Sequence, residues 1–185
     1  MARKREIRPA KKMKQICLVF CEGETEEAYL DFLRNTYQSP IKIVSKVEGA
    51  DINQRVVDNK AKSLRLSSRD KVKVFLMYDL DVEAVNEKLK GIRAELIGSN
   101  PCIELWFLLH REHRRASISS AECLRKLTSK NDCWATYKKS DLSDAQKKYL
   151  LTNVSKAIMA SKELKDGDNP SCSIYKLIDY LKVNI

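Results

Sequence analysis

Val72-Lys73-Val74-Phe75-Leu76-Met77-Tyr78-Asp79-Leu80-Asp81 is the stretch that decides the fold. From Val74 to Tyr78 every side chain is apolar or aromatic. Strand side chains alternate between faces, so a strand without a polar face must be covered on both sides, as in the centre of a parallel sheet. Open parallel sheets bind ligands beyond the carboxyl ends of their strands. Asp79 and Asp81 stand two residues apart at that end and project toward one point. Two carboxylates converging there repel each other unless a cation, usually magnesium, lies between them. The competing reading is structural: Asp favours the turn after a strand, and Asp81 suits the N-cap of a helix over residues 82–89.

Working outward, Ile16-Cys17-Leu18-Val19-Phe20-Cys21 is a second run buried on both faces, ending in Glu22-Gly23-Glu24-Thr25-Glu26-Glu27. Gly23 permits a tight strand-to-helix turn, Thr25 is the expected N-cap, and Ala28, Tyr29, Phe32, Leu33 and Thr36 form one helical face. Complementing a helix macrodipole accounts for Glu24 and Glu27, but not for Glu22, which precedes the turn. Residues 41–47 read as a shorter strand. A helix follows over residues 51–66 with Ile52, Val56, Val57 and Leu64 inward, and residues 91–97 give a weaker fourth strand. Strand and helix in alternation predict an α/β fold, a parallel sheet of about four strands with helices on both faces.

Ser99-Asn100-Pro101-Cys102-Ile103-Glu104-Leu105-Trp106-Phe107-Leu108-Leu109-His110 follows. Asn100 as N-cap and Pro101 at the first helical position predict a helix buried nearly all round. Glu104 is its exception, and a buried first-turn carboxylate needs a cation, an arginine or backbone amides as partner. His110 lies about 120° around the helix from Glu104, so the two need not share a site. Beyond Ser117 the pattern is helical. A short helix spans residues 119–127, and a capping box at Ser143-Asp144-Ala145-Gln146 opens a long helix to about Leu164, with Leu142, Tyr149, Val154 and Ile158 inward. Asn169-Pro170 starts a last helix striped by Ile174, Leu177, Ile178 and Leu181. These helices read as packing elements without chemistry of their own. The expected organisation is a disordered basic tail (1–14), an α/β core (15–116) and a helical C-terminal extension packed on it (117–185).

The chain has 185 residues and a formal net charge of +10. Much of the excess sits in Arg3, Lys4, Arg5, Arg8, Lys11, Lys12 and Lys14, opposed there by Glu6 alone. Such a tail contacts nucleic-acid phosphates or serves as a solubilising segment. No apolar run approaches the roughly 20 residues that span a bilayer, and the basic N-terminus lacks the apolar stretch of a signal peptide, so no membrane partner and a cytoplasmic location are expected. The six cysteines are scattered without zinc-ligand spacing, so neither zinc nor disulfides are expected.

A strand ending in Glu22-Gly23 and a later strand ending in Asp79-Leu80-Asp81 together resemble the Toprim domain of topoisomerases, primases and OLD-type nucleases. More closely, Cys21-Glu22-Gly23-Glu24-Thr25-Glu26, Tyr78-Asp79-Leu80-Asp81, the 99–106 segment with His110, and Asn169-Pro170-Ser171 resemble the RloB-like family, from about Ile16 to Leu181. The resemblance implies a compact Toprim fold, a site for Mg2+ or Mn2+, and association with bacterial restriction or phage-defence loci. It implies acid/base chemistry for Glu22 and metal binding for Asp79 and Asp81, while Glu26 and Glu104 match acidic positions of the family. The expected activity is metal-dependent hydrolysis of DNA or RNA phosphodiesters, with Glu26 or Glu104 completing the shell of a second ion. Arg111, Arg114 and Arg115 either hold the nucleic-acid strand or form a solvated helix end. The rival is a catalytically inactive binding module, an adaptor to a partner ATPase or restriction complex. A haloacid-dehalogenase-like phosphoryl transfer through Asp79 would place its motif on the first strand, whereas here it lies on the third.

Overall fold

The computed structural model describes residues 15–47, 49–64 and 70–183, so Lys11, Lys12 and Lys14 of the basic tail lie outside the described residues. In chain order the first half comprises β1 (Gln15–Cys21), α1 (Glu24–Tyr37), β2 (Ile41–Val44), α2 (Gln54–Ser63), β3 (Lys71–Met77), α3 (Glu83–Lys90) and β4 (Glu95–Leu96). The second half comprises β5 (Ser99–Asn100), α4 (Ile103–Leu109), α5 (Ser120–Thr128), α6 (Asp144–Lys162), β6 (Ser171–Cys172) and α7 (Tyr175–Val183). Four strands pair in parallel in the order β2-β1-β3-β4, and β5 pairs antiparallel with β6.

The strand pattern works as the alternation of side chains requires. Cys17, Val19, Cys21, Phe75 and Met77 face a layer that holds α1, α4, α5, α6 and α7. Leu18, Phe20, Leu76 and Tyr78 face the opposite way, onto Ile52, Val57 of α2 and Leu89 of α3. Each large apolar side chain so enclosed stabilises the fold by about 1.5–3 kcal/mol relative to exposure. Residues on both sides of position 116 share the first cluster: Leu127, Trp134, Leu150 and Leu177 pack into the same core as Val19 and Phe107.

Several boundaries differ from the sequence expectation. β2 stops at Val44 because Lys46 takes a left-handed conformation (φ 59°), and residues 45–47 leave the sheet. α2 begins at Gln54, where Asn53 accepts the Val56 N–H at 3.1 Å, rather than at Asp51; the expected end at Leu66 lies outside the described residues. The fourth strand shrinks to two residues, because residues 91–94 form a turn. Asp81 does not cap α3: Val82 is the N-cap, without a side-chain bond. On α1 the N-cap is Gly23 rather than Thr25, and the buried face turns toward Thr25, Glu26, Tyr29, Leu30, Phe32 and Leu33, leaving Thr36 exposed. On α6 the capping box is present, but Leu150, Ala157 and Ala160 are buried while Tyr149, Val154 and Ile158 are only partly covered.

The two Asn-Pro pairs do not open helices. Both bonds are cis, and the residues beside them pair with each other, Ser99 with Cys172 and Asn100 with Ser171. Their backbone groups are thus committed to strand pairing, so α4 starts two residues after Pro101, with Cys102 as N-cap, and α7 starts at Tyr175. All six cysteines are free, and no helix among the described residues is long and apolar enough to cross a membrane.

Candidate functional site

β1 and β3 are neighbours in the sheet, with Cys21 opposite Met77, so the residues that follow them emerge side by side at the carboxyl edge. Glu22 follows β1, and Asp79 lies two residues beyond β3. An isolated bridge from Asp79 to Ser99, with the Leu80 N–H donating to the Ser99 carbonyl at 2.9 Å, brings the start of α4 to the same edge. A pocket of about 280 Å³ results, lined by Glu22, Glu24, Glu26, Asp79 and Glu104, with Lys139 as its cation. A second pocket of about 340 Å³ adjoins it, sharing Glu22 and Asp79 and adding Asp81, Val82 and Val85. Asp79 and Asp81 therefore share the second pocket, whereas Glu26 and Glu104 lie on the first.

The acidic groups feel one another. Burial pushes the Asp79 carboxyl up to about 8, the carboxylates of Glu26, Glu104 and Asp81 push in the same direction, and a bond from the Ile103 backbone N–H at the start of α4 partly offsets them. Glu26 is also raised, first by burial and then by Glu104 and Glu22, while its own backbone N–H and Lys139 act the other way. Glu26 folds back over the entrance of α1: a Cβ on Gly23 would collide with its Oε2. Gly23 is extended (φ −100°, ψ 164°), a conformation open to any residue, so what the position requires is room for this carboxylate rather than a special turn.

Glu104, 3% exposed, finds a partner that sequence reasoning missed. The phenol of Tyr137 donates to its Oε1 at 3.1 Å. Tyr137 belongs to the 133–141 segment, which also brings Lys139 and Ser140 to the pocket. The helices beyond Ser117 line neither pocket, as packing elements would, but the non-helical segment between α5 and α6, which the helical reading overlooked, does reach the acidic cluster. The only sequence signal was Trp134 and Tyr137 standing three apart in an otherwise polar stretch, aromatic anchors that stack on Phe107 of α4.

The remaining candidates lie elsewhere. The Arg111 side chain is 6% exposed, paired with Asp132 and donating to the Leu127 carbonyl at 3.1 Å. Arg114 pairs with Glu122 at 3.5 Å and Arg115 with Glu163 at 2.6 Å. None of the three lines either pocket. His110 is fully buried; its Nδ1 bonds the Trp106 carbonyl at 2.8 Å, so that nitrogen carries the proton and Nε2 has no partner among the described residues. Burial pulls its pKa down to about 4, and the ring is a neutral core group away from the carboxylates.

The donor set suits a hard divalent cation in kind, being carboxylate oxygens throughout, whose mutual repulsion a cation would relieve. As placed, no three His, Cys, Asp or Glu side chains among the described residues close around a single ion position. Comparison with curated proteins gives no match. A family model described as RloB-like protein matches residues 17–181, most of the chain, and the chain belongs to the RloB-like family.

Proposed function

We propose that the protein is a metal-dependent nuclease of Toprim type, hydrolysing phosphodiester bonds of DNA or RNA in bacterial phage defence or restriction. One observation carries the reading: Glu22, Glu26, Asp79 and Glu104, from three separate parts of the chain, meet in one pocket at the carboxyl edge of the sheet. Asp79, Asp81, Glu26 and Glu104 are the residues that would hold Mg2+ or Mn2+, which when bound supplies positive charge to the phosphate and lowers the pKa of water. Glu22 is exposed and outside any cap, free to orient the attacking water and accept its proton. Lys139 makes no ion pair among the described residues and faces the carboxylates, so its ammonium is available to a substrate phosphate that the acidic wall would otherwise repel.

The alternative is a Toprim-fold adaptor that binds nucleic acid or a partner ATPase without cutting. The spread of the carboxylates, none of which group in threes around one ion position among the described residues, favours it. A cleavage screen of the purified chain on single- and double-stranded DNA and on tRNA, with Mg2+ or Mn2+, separates the two. The nuclease reading expects cleavage, and expects Glu22→Gln to fold normally, bind nucleic acid and lose at least about a hundredfold in turnover. A wild-type chain that cuts nothing, and whose biological effect survives Glu22→Gln, leaves the adaptor.

A further inference from the structure

The segment 133–141 does more than cover the pocket. We propose that Tyr137 is a positioning residue for Glu104, acting through a hydrogen bond from a segment that Thr25 ties to α1; the proposal rests on the metal-dependent reading above. The Ser140 backbone N–H donates to Thr25 Oγ1 at 3.1 Å. The phenol of Tyr137, three residues before Ser140, donates to Glu104 Oε1 at 3.1 Å.

Three features distinguish this arrangement from simple satisfaction of a buried carboxylate. First, one bond would satisfy Glu104 Oε1, yet the same segment also reaches α1, where the Ser140 N–H donates to Thr25, the neighbour of Glu26. It therefore ties together the two helix entrances that carry Glu26 and Glu104. Second, the donor segment is itself braced. Trp134 stacks on Phe107 with centroids 5.4 Å apart and planes at 23°, Tyr137 meets the same ring edge-on at 6.0 Å, and the Gln146 side-chain amide of α6 donates to the Cys133 carbonyl at 2.9 Å. Third, only Oε1 is engaged: Glu104 Oε2 has no hydrogen-bond partner among the described residues, and the side chain lines the pocket. Fixing one oxygen aims the other, as outer partners of metal-binding carboxylates do.

The test measures Mn2+ affinity of the full-length protein by calorimetry, with thermal melts alongside. Tyr137→Phe removes one hydroxyl and keeps the ring against Phe107; Thr25→Val removes the acceptor of the Ser140 N–H that ties the segment to α1, and Thr25→Ser retains it. The expected result is an Mn2+ Kd raised about tenfold or more in Tyr137→Phe, raised less in Thr25→Val, and near wild type in Thr25→Ser. Where cleavage is measurable, kcat falls while KM for the nucleic acid stays nearly constant. Folded Tyr137→Phe and Thr25→Val with wild-type Mn2+ affinity overturn the proposal, whatever their melting temperatures. If Tyr137→Phe does not fold, the Thr25 pair decides. Glu104→Gln that binds Mn2+ like wild type overturns this proposal alone, whereas a wild-type protein that binds no Mn2+ overturns the metal reading and this proposal with it.

Discussion

Gly23→Ala separates the stability of the site from its geometry. The residue is extended, so alanine enters without backbone strain. Replacing glycine here stabilises by about 0.4–1 kcal/mol through the unfolded chain, against a loss of similar size because Ala is a poorer N-cap than Gly. The net effect on folding stays within about 1 kcal/mol, a shift of about 4 °C or less in Tm for a chain of this length. The new methyl group nevertheless overlaps Glu26 Oε2, with Glu26 Cδ 3.4 Å away, and the carboxylate must retreat by about 1 Å to restore ordinary contact. Because the obstructing atom ends a flexible side chain, the backbone has no reason to move. A 1 Å misplacement at a reacting centre costs on the order of a hundredfold in rate. Mn2+ titration, turnover and thermal melts on the same preparation check this. The expected pattern is a nearly unchanged melt with metal affinity and turnover reduced at least about tenfold, partly restored by adding Glu26→Asp, which draws the carboxylate back by one methylene. Gly23→Ala with wild-type affinity and turnover would refute the reasoning.

Two further predictions concern residues assigned here to structure. Arg111→Ala removes a buried guanidinium that holds Asp132 and the Leu127 carbonyl; discounting for the partial exposure of Asp132, it should destabilise by about 2–3 kcal/mol. Arg115→Ala breaks an exposed, solvent-screened pair and should shift the melt far less, so equal melts for the two variants would contradict the assignment. His110 is neutral in the fold, with its pKa near 4, whereas the unfolded chain takes up a proton near 6.5. Its contribution to stability is therefore fully present above pH 6.5 and is lost as the pH falls toward 4, by about 1.4 kcal/mol per unit and up to about 3 kcal/mol in all. Urea unfolding of wild type and His110→Phe between pH 4 and 7 measures this, and parallel pH profiles would count against it.

Much of this arrangement was legible in the sequence because it depends on local pattern. Unbroken apolar runs before Glu22 and Asp79 can only be strands covered on both faces, and strand ends in a parallel sheet share an edge. The argument that Glu104 needs a partner was sound, and one partner it did not name is a tyrosine hydroxyl 33 positions away. No periodicity relates Tyr137 to Glu104; the path of the chain between α5 and α6 brings them together. The Asn-Pro pairs were misread because Pro after Asn signals a helix start and a cis turn with the same letters. At Gly23 the error was of cause: the position is constrained by the carboxylate three residues later rather than by its own backbone angles.

The charge distribution weighs on the choice between nuclease and adaptor. The chain as a whole is strongly basic, which favours encounter with a polyanion. At the carboxyl edge of the sheet that balance reverses, with five carboxylates facing Lys139. A surface meant only to hold nucleic acid gains nothing from this, because phosphates are repelled where the protein would grip them. Burial first, and the neighbouring carboxylates after it, push Asp79 and Glu26 upward, so ionising the whole cluster is costly and a cation would offset that cost. Mutually repelling groups gathered in one pocket, with Glu104 held by the Tyr137 phenol, are better explained by a site that receives a cation and a phosphate together than by a docking face.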